Sequence, residues 1–177
     1  FIVIMTGIID DIKPIKALHK LAGHIIAAAV IVLYGGIILD KISAFGYTLN
    51  FGIFAYPITM LFIIACTNII NLIDGLDGLS SGICSIFYIT IAIIAFYQGR
   101  YGSLVMMLSL IMLGSTLGFL LHNFNPAKIF AGDCATFMGF IISVITLLEF
   151  KGPALISFFI PISILGIPIL DTLFAII

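Results

Sequence analysis

Three short stretches of this sequence concentrate the side chains that could do chemistry. They read "DDIKPIK" at residues 10–16, "NLIDGLDGL" at 71–79 and "HNFNPAKIFAGD" at 122–133. Adjacent Asp10 and Asp11 repel each other unless a cation or a basic group lies between them, and Lys20 follows within three helical turns. Paired carboxylates beside lysines suit the binding of a divalent metal or a phosphate. An ordinary solvated helix end with local ion pairs would give the same pattern.

The second stretch combines polar side chains with glycines. Asn71 and Asp74 stand three residues apart, so they share one face if the preceding helix continues through them. Gly75 and Gly78 permit a tight turn and a close approach of the backbone to a ligand. The register of an EF-hand calcium loop is absent. The stretch is therefore either a ligand-binding loop or simply a turn between two apolar segments.

The third stretch ends in Gly132 and Asp133, immediately before an apolar run. An aspartate in this position is commonly a helix N-cap. The alternative is a metal ligand, with the helix N-terminus favouring an anionic phosphate nearby. Lys128 could supply a positive charge to the same phosphate. Three histidines near the same span ends are interpreted as structural: His19, His24 and His122.

The composition identifies the environment in which these stretches lie. Of 177 residues, 63% are hydrophobic and only 8% are charged, and the mean hydropathy is +1.36. Soluble domains have about 45–50% apolar residues. The chain is therefore an integral membrane protein, and its spans must be helical because a lipid-exposed strand would leave backbone groups unpaired. The predicted fold is all-α, a polytopic transmembrane helix bundle.

Apolar runs bounded by polar residues, glycine or proline mark the spans. We predict a partial span at residues 1–9 and then six full spans, at 18–39, 53–72, 79–97, 101–121, 134–149 and 153–175. Successive loops alternate between the two membrane faces, so the three polar stretches lie on one face. Six of the eight acidic residues then share that face: Asp10, Asp11, Asp74, Asp77, Asp133 and Asp171. Such clustering in an apolar chain requires a cation, a proton path or a substrate.

The distribution of lysine and arginine indicates the orientation only weakly. Four of the seven basic residues lie on the acidic face, which favours a cytoplasmic location for that face in the cell membrane. We predict one integral membrane catalytic domain over residues 1–177. Both ends lie inside apolar runs, so the chain is interpreted as a fragment that lacks N-terminal and C-terminal parts. No basic run is present to bind nucleic acid, and three isolated cysteines are interpreted as free thiols.

Taken together, the polar stretches resemble a family of membrane enzymes, the polyprenyl-phosphate N-acetylhexosaminyl-1-phosphate transferases. The matching segments run from residue 7 to residue 171 and read "GIIDDIKPIKALHKLAGH", "TNIINLIDGLDGLSSG", "LHNFNPAKIFAGD" and "PILD". Two segments, "NLIDGLDGL" and "NPAKIFAGD", are more similar to the branch that transfers N-acetylglucosamine-1-phosphate to undecaprenyl phosphate. The branch that uses a muramoyl-pentapeptide is the alternative within the family.

The resemblance implies roles for six residues, to which the pattern of the third stretch adds Lys128; Asn68 and Asp77 also match the motif, without a specified role. The catalytic residues would be Asp10, Asp11 and Lys20. The substrate-binding residues would be Asn71 and Asp74 in the nucleotide-sugar site, with Lys128 near a phosphate. The ligand of Mg²⁺, or of Mn²⁺ in its place, would be Asp133. The implied partners are a UDP-N-acetylhexosamine, a polyprenyl phosphate and the membrane itself, and a homodimer is left open.

The sequence departs from the family pattern at two places. After Asp133 the family usually has a small hydroxyl residue and then Gly-Ser, whereas this chain has Cys134, Ala135 and Thr136. This change removes a glycine that lets the backbone approach a phosphate. His24 stands where a glutamine is common. The histidine-bearing loop expected after the last span would begin beyond the end of the sequence.

The reaction implied is an attack by the polyprenyl phosphate on the β-phosphate of the UDP-sugar, which gives a polyprenyl-diphospho-sugar and UMP. The spacing does not distinguish deprotonation of the acceptor by Asp10 or Asp11 from a first attack by a carboxylate. An ion- or proton-coupled transporter would instead place its acids along a path through the bilayer. An intramembrane aspartyl protease would need a second aspartate facing Asp133, and only Asp171 is available.

Overall fold

The computed structural model describes residues 1–44 and 47–149, which form a bundle of helices with one short hairpin. The helices are α1 Ile2–Ile12, α2 Ala17–Ala29, α3 Ala55–Ile73, α4 Leu79–Tyr97, α5 Leu104–Asn123 and α6 Ala135–Glu149. A π-helical turn, Val30–Tyr34, continues α2. Two 3-10 turns, Gly52–Phe54 and Gly132–Cys134, precede α3 and α6. The predicted helix bundle is confirmed.

Five helical segments of the described chain are long and apolar enough to cross a membrane. They are Ala17–Tyr34, Gly52–Ile73, Leu79–Tyr97, Leu104–Asn123 and Gly132–Glu149, with mean hydropathies between 1.5 and 2.3. Each coincides with one of the predicted full spans, so the chain is a multi-pass membrane protein. The predicted span 153–175 and Asp171 lie outside the described residues.

Two helix ends differ from the predicted spans because of local backbone rules. Helix α1 continues to Ile12, so Asp10 and Asp11 lie in its last turn rather than in the following loop. It ends there because Pro14 disfavours helical geometry at Lys13, whose φ and ψ are −142° and 103°. The second span ends at Tyr34 instead of residue 39, just before two glycines of which one, Gly36, has a φ of +61°.

A short β-hairpin, which the apolar pattern did not predict, lies between the π-helical turn and α3. Strand β1, Lys41–Ala44, pairs antiparallel with β2, Tyr47–Asn50, and Lys41 stands opposite Asn50. Each strand has only four residues, so a period of two could not be recognised in the sequence. The hairpin lies at the end of the bundle opposite the three polar stretches, so the all-α prediction holds for every described span.

Close helix contacts depend on glycines that the sequence pattern did not single out. A Cβ atom at Gly139 of α6 would overlap with the carbonyl oxygen of Cys66 in α3. A Cβ at Gly23 of α2 would lie 2.6 Å from Thr6 Oγ1 in α1. Small residues at helix crossings let backbones approach closely in a membrane. These two glycines therefore bring α2 onto α1 and α6 onto α3.

Two Gly-x-x-x-Gly spacings in the sequence, Gly78 to Gly82 and Gly114 to Gly118, also predict close helix packing. Among the described residues, no atom lies within 4 Å of a Cβ built at Gly82, Gly114 or Gly118. A Cβ built at Gly78 would lie 3.3 Å from Leu120 Cδ1, but the φ of +75° at Gly78 makes it a loop residue. The spacing alone did not show which face of each helix is packed.

Replacing Gly139 with alanine is expected to destabilise the bundle by about 1–3 kcal/mol, the usual cost of overpacking a well-packed contact. The matched control is Gly114→Ala, which adds the same methyl group to a helix position without a described neighbour. Thermal unfolding in detergent should show a lower Tm for Gly139→Ala and an unchanged or higher Tm for Gly114→Ala. Equal Tm values for the two variants would contradict the packing described for α3 and α6.

Candidate active site

The centre of the candidate site is the side chain of Lys20, which bridges two aspartates from different parts of the chain. Its Nζ atom lies 3.7 Å from Asp10 Oδ2 and donates a hydrogen bond to Asp133 Oδ2. The three side chains are largely buried, with exposed fractions of 17% for Lys20, 20% for Asp10 and 17% for Asp133. The ammonium group thus compensates two carboxylates at the point where α1, α2 and the start of α6 meet.

Asp11, the neighbour of Asp10, binds the backbone rather than the lysine. Its Oδ1 atom accepts a hydrogen bond of 2.9 Å from the N–H of Asp133. The preceding Gly132 has a φ of +56°, and a Cβ there would lie 2.7 Å from both carboxylate oxygens of Asp11. A Cβ at Gly7 would likewise lie 3.0 Å from the carbonyl group of Asp133. The two glycines therefore let α1 lie directly against the backbone that carries Asp133.

Asn71 reaches the same aspartate from α3. Its Nδ2 atom lies 3.4 Å from Asp133 Oδ1, while Lys20 occupies the other oxygen. The backbone carbonyl of Asp133 accepts a hydrogen bond of 2.6 Å from Thr136 Oγ1, which fixes the turn. Asp133 is therefore held by groups from α1, α2, α3 and α6. It is not a simple N-cap, because its carboxylate faces Lys20 and Asn71 of other helices and because Ala131, not Asp133, occupies the N-cap position of the 3-10 turn.

The carboxyl group of Asp10, beyond the predicted span 1–9, is held in its charged form. A hydrogen bond with the carboxyl group of Asp133 and one of 2.7 Å from the N–H of Ile15 hold the pKa of Asp10 below its usual range. The positive charge of Lys20 acts in the same direction. Asp10 is therefore ionised at neutral pH, and its negative charge is available to hold the lysine.

Asp74 does not join this group of side chains. Its Oδ1 atom accepts a hydrogen bond from Ser80 Oγ near the start of α4. Burial raises the pKa of Asp74, and the hydrogen bond from Ser80 opposes this effect in part. Asp74 therefore contacts the start of α4 from the C-cap position of α3, whereas Asn71 approaches Asp133.

Two side chains that had no assigned role tie that loop to the loop after α5. Asp77 Oδ2 accepts hydrogen bonds from Asn125 Nδ2 at 3.2 Å and from the N–H of Ala127 at 3.0 Å. Asn123, buried with 3% exposure, accepts from the N–H of Gly78 at 3.1 Å through its Oδ1 atom. The second and third polar stretches are thus joined at one end of the bundle, as the alternation of loops predicted.

Asn123 is a residue of the site region that the sequence reasoning missed. Its Oδ1 atom also accepts a hydrogen bond of 3.0 Å from Ser81 Oγ, and its Nδ2 atom donates one of 3.0 Å to the carbonyl group of Ile129. The residue lies in the quoted stretch "HNFNPAKIFAGD", but nothing in its spacing showed which of the two asparagines would be buried. Lys128, by contrast, is exposed, and its ammonium group has no ion pair in the described parts of the chain.

The donor atoms at the centre suit a hard divalent cation. Asp10, Asp11 and Asp133 offer carboxylate oxygens, the ligands that Mg²⁺ prefers. The ammonium group of Lys20 occupies the position between Asp10 and Asp133. Within residues 1–44 and 47–149, however, no three Asp, Glu, His or Cys side chains are arranged as a complete cation site. The carboxylate oxygens therefore match Mg²⁺ in donor chemistry alone, and in the described structure the ammonium group of Lys20 compensates two of these carboxylates.

These features define a class: a multi-pass membrane protein whose acidic and basic side chains converge at one end of its helix bundle. Comparison with known proteins makes the class specific. Residues 1–149 match the family described as glycosyl transferase family 4. The match covers most of the chain, and the chain therefore belongs to glycosyl transferase family 4. The family resemblance inferred from the four motifs is confirmed.

Several curated relatives carry more specific names. The chain is 46% identical to the probable undecaprenyl-phosphate N-acetylglucosaminyl 1-phosphate transferase of Bacillus subtilis (strain 168), over 100% of this chain and 50% of that protein. It is 34% identical to the phospho-N-acetylmuramoyl-pentapeptide-transferase of Streptococcus uberis, over 75% of this chain and 39% of that protein. It is 31% identical to the decaprenyl-phosphate N-acetylglucosaminephosphotransferase of Mycobacterium leprae, over 97% of this chain and 48% of that protein. The chain spans half or less of the length of these relatives.

The raised pKa of Asp74 leads to a prediction about stability. A carboxyl group whose pKa is raised in the folded state stabilises the fold while it is protonated, and this contribution is lost as the pH rises through the folded-state pKa. Asp74→Asn, which resembles the neutral acid, is therefore expected to raise the Tm at neutral pH and to change it less at acid pH. Thermal unfolding of the two proteins at both pH values measures this difference.

The control for this prediction is Asp40→Asn, which makes the same change at an exposed aspartate beside the hairpin. Its Tm should equal that of the unsubstituted protein at both pH values. A Tm difference for Asp74→Asn that is the same at acid and neutral pH would contradict the proposed effect of burial.

Proposed function

We propose that this chain carries the catalytic residues of an enzyme that transfers N-acetylglucosamine-1-phosphate from UDP-N-acetylglucosamine to undecaprenyl phosphate and releases UMP. An oxygen of the acceptor phosphate attacks the β-phosphorus, and the bond from that phosphorus to the oxygen bridging to UMP breaks. The observation that carries the proposal is the convergence of Lys20, Asp10 and Asp133 at one end of the bundle. Membership of the family and the names of the relatives support it.

The location of the cluster suits substrates of opposite solubility. One reactant is dissolved in water and the other lies in the lipid, so they can meet only at the membrane surface. The side chains of Lys20, Asp10 and Asp133 lie at helix ends that reach this surface. We assign that surface to the cytoplasmic side of the cell membrane, where UDP-sugars are available and where the excess of basic residues favours it.

Lys20 and Mg²⁺ have complementary roles in this proposal. Two anionic phosphates repel each other, and fixed positive charge lowers this repulsion and stabilises the transition state. Mg²⁺ or Mn²⁺, when bound, would supply such charge to the phosphate oxygens. Asp133 would be its principal ligand, with Asp10 or Asp11 beside it. Lys20 would then turn from its two aspartates towards the phosphates of the substrates.

The two adjacent aspartates differ in their surroundings, which suggests different roles. Asp10 is paired with Lys20 and with the N–H of Ile15, so it serves to hold charge in place. Asp11 is exposed, and within residues 1–44 and 47–149 its Oδ2 atom has only the weak contact of 4.0 Å from the thiol of Cys134. Asp11 is therefore the carboxylate that we assign to proton acceptance from the acceptor phosphate.

The nucleotide-sugar would lie over the loops that Asp77 and Asn123 join. Asn71 and Asp74 are assigned to this side of the site, and the exposed side chain of Lys128 is free to contact a phosphate. The similarity to a pentapeptide transferase from Streptococcus uberis supports a second candidate substrate, UDP-N-acetylmuramoyl-pentapeptide. The two candidate donors differ in the sugar and in the pentapeptide that one of them carries, so one assay with both donors distinguishes them.

The proposed reaction is tested with radiolabelled UDP-N-acetylglucosamine and undecaprenyl phosphate, using membranes that contain the complete parent chain. We expect a labelled lipid product and UMP, with no product from the pentapeptide donor. Asp133→Asn should lower the rate by about 10²- to 10³-fold, the usual effect of removing one charge-stabilising group. Asp40→Asn serves as a matched control at the other end of the bundle and should retain full activity.

Two results would contradict this assignment. Full activity of Asp133→Asn would remove Asp133 from the site, although the reaction itself would stand. A labelled product only with UDP-N-acetylmuramoyl-pentapeptide would show that the pentapeptide branch is the correct one.

Competition between Lys20 and the metal gives a test that does not depend on turnover. Thermal unfolding of the purified parent chain should shift upward with Mg²⁺, by about 2.7 kcal/mol of stability at a concentration of 100 times the Kd. Asp133→Asn should lose this shift. Lys20→Met should show it at lower Mg²⁺ concentrations than the unsubstituted protein, because the competing ammonium group is absent, and it should be inactive. A shift that persists in Asp133→Asn would place the metal elsewhere.

A further inference from the structure

One polar pair, a buried histidine and a half-buried asparagine, lies next to the site but has no part in the proposed reaction. His24 follows Lys20 by one helical turn in α2, and its side chain is 2% exposed. It lies within the segment Ala17–Tyr34, which is apolar enough to span a membrane. Polar side chains at such positions are costly and are commonly kept for a function. The sequence pattern had indicated only a structural histidine at a span end.

The partner of His24 is Asn68 in α3. The distance from Asn68 Nδ2 to His24 Nδ1 is 3.5 Å, and the same amide nitrogen donates a hydrogen bond of 2.7 Å to the carbonyl group of Ile64. An amide NH₂ group can only donate, so the Nδ1 atom of the ring accepts. The single hydrogen of a neutral ring is then assigned to Nε2. The pair links α2 to α3 through side chains alone.

The remaining ring nitrogen is not satisfied by any described group. His24 Nε2 is buried and has no hydrogen-bond partner in the described parts of the chain. An apolar side chain at this position would avoid the penalty of burying an unpaired donor. The ring does not cap its own helix, because the hydrogen bond that it makes to a described group crosses to Asn68 of α3. The histidine therefore costs stability, and the link to Asn68 is what it provides.

The pair has a defined position relative to the candidate active site. His24 lies four residues after Lys20 in α2, and Asn68 lies three residues before Asn71 in α3. Four residues of α-helix correspond to about 6 Å along the axis. Lys20 and Asn71 bind the two different oxygens of Asp133. The link between His24 and Asn68 therefore lies one helical turn deeper in the membrane than the two side chains that hold Asp133.

We propose that His24 and Asn68 are positioning residues, which hold α2 and α3 at the register that lets Lys20 and Asn71 bind the same carboxylate. This inference rests on the proposed function, because it assumes that the placement of Asp133 limits the rate of transfer. Neither residue touches the reacting groups. Helix α2 needs such a link because it is exposed over much of its surface and its close contact with α1 is formed at Gly23, one residue before the histidine.

The test uses His24→Leu and His24→Gln in the complete parent chain. Leucine fills similar space but cannot accept the hydrogen bond from Asn68, whereas the amide of glutamine offers both an acceptor and a donor. We expect His24→Leu to lower kcat by about 10- to 100-fold, the usual effect of losing a residue that orients a ligand-binding side chain. The KM for UDP-N-acetylglucosamine should stay unchanged. His24→Gln should recover the kcat of the unsubstituted protein.

A second variant removes the other member of the pair in case His24→Leu does not fold. Asn68→Ala should lower kcat to the same extent, and combining it with His24→Leu should lower kcat no further, because the two residues act as a unit. The matched control is Thr67→Val in the same turn of α3. Thr67 is fully buried, but its hydroxyl group donates only to Ile63 of its own helix. Thr67→Val should retain the full kcat.

The possible results separate this inference from the proposed function. An inactive unsubstituted chain would overturn the proposed function and this inference with it. An active chain in which His24→Leu keeps its kcat, or in which His24→Gln is as impaired as His24→Leu, would overturn the positioning role alone. An equal loss in Thr67→Val would also overturn it, because any buried polar side chain of α3 would then have the same effect.

Discussion

The contact of one lysine with two aspartates is the interaction on which the rest of the site depends. Lys20 joins Asp10 of α1 to Asp133 at the start of α6, and all three side chains are largely buried. Two facing carboxylates without this ammonium group would be an uncompensated charge at the edge of an apolar bundle, which is strongly destabilising. Helix packing and charge compensation therefore depend on each other. Gly7 and Gly132 allow the close approach that makes the contact possible.

The site has a separate support on its water-facing side. Asp77 and Asn123 join the loop after α3 to the loop after α5, mostly through bonds to backbone groups. These hydrogen bonds are partly buried, and together they hold the two loops against each other. The lysine and the aspartates are thus held by helices, whereas the surface proposed for the nucleotide-sugar is held by hydrogen-bonded loops. This division allows the loops to adapt without moving Asp133.

The sequence was sufficient to predict the five described spans and the end of the bundle where the described acids of the three polar stretches lie, because both follow from apolar run length and alternation. It also placed Asp10, Asp11, Lys20, Asn71 and Asp133 in one group, and the structure brings these five together. Asp74, the C-cap residue of α3, accepts a hydrogen bond from Ser80 of α4, a contact that the i, i+3 spacing did not predict. Contacts between helices were not predictable, because the pattern shows which face of a helix is apolar but not which neighbour that face meets. The pairing of His24 with Asn68, 44 residues apart, is such a contact.

The close contact of α1 with the turn before α6 also has a consequence for biosynthesis. The hydrogen bond from the N–H of Asp133 to Asp11 connects residues 122 positions apart. A ribosome releases the chain from its N-terminal end. Helix α1 with its paired aspartates is therefore synthesised before α2, α3, α4 and α5, and Asp133 follows only after these four helices. During that interval Lys20 of the adjacent α2 can neutralise Asp10, so Asp10 has a partner before Asp133 has been synthesised.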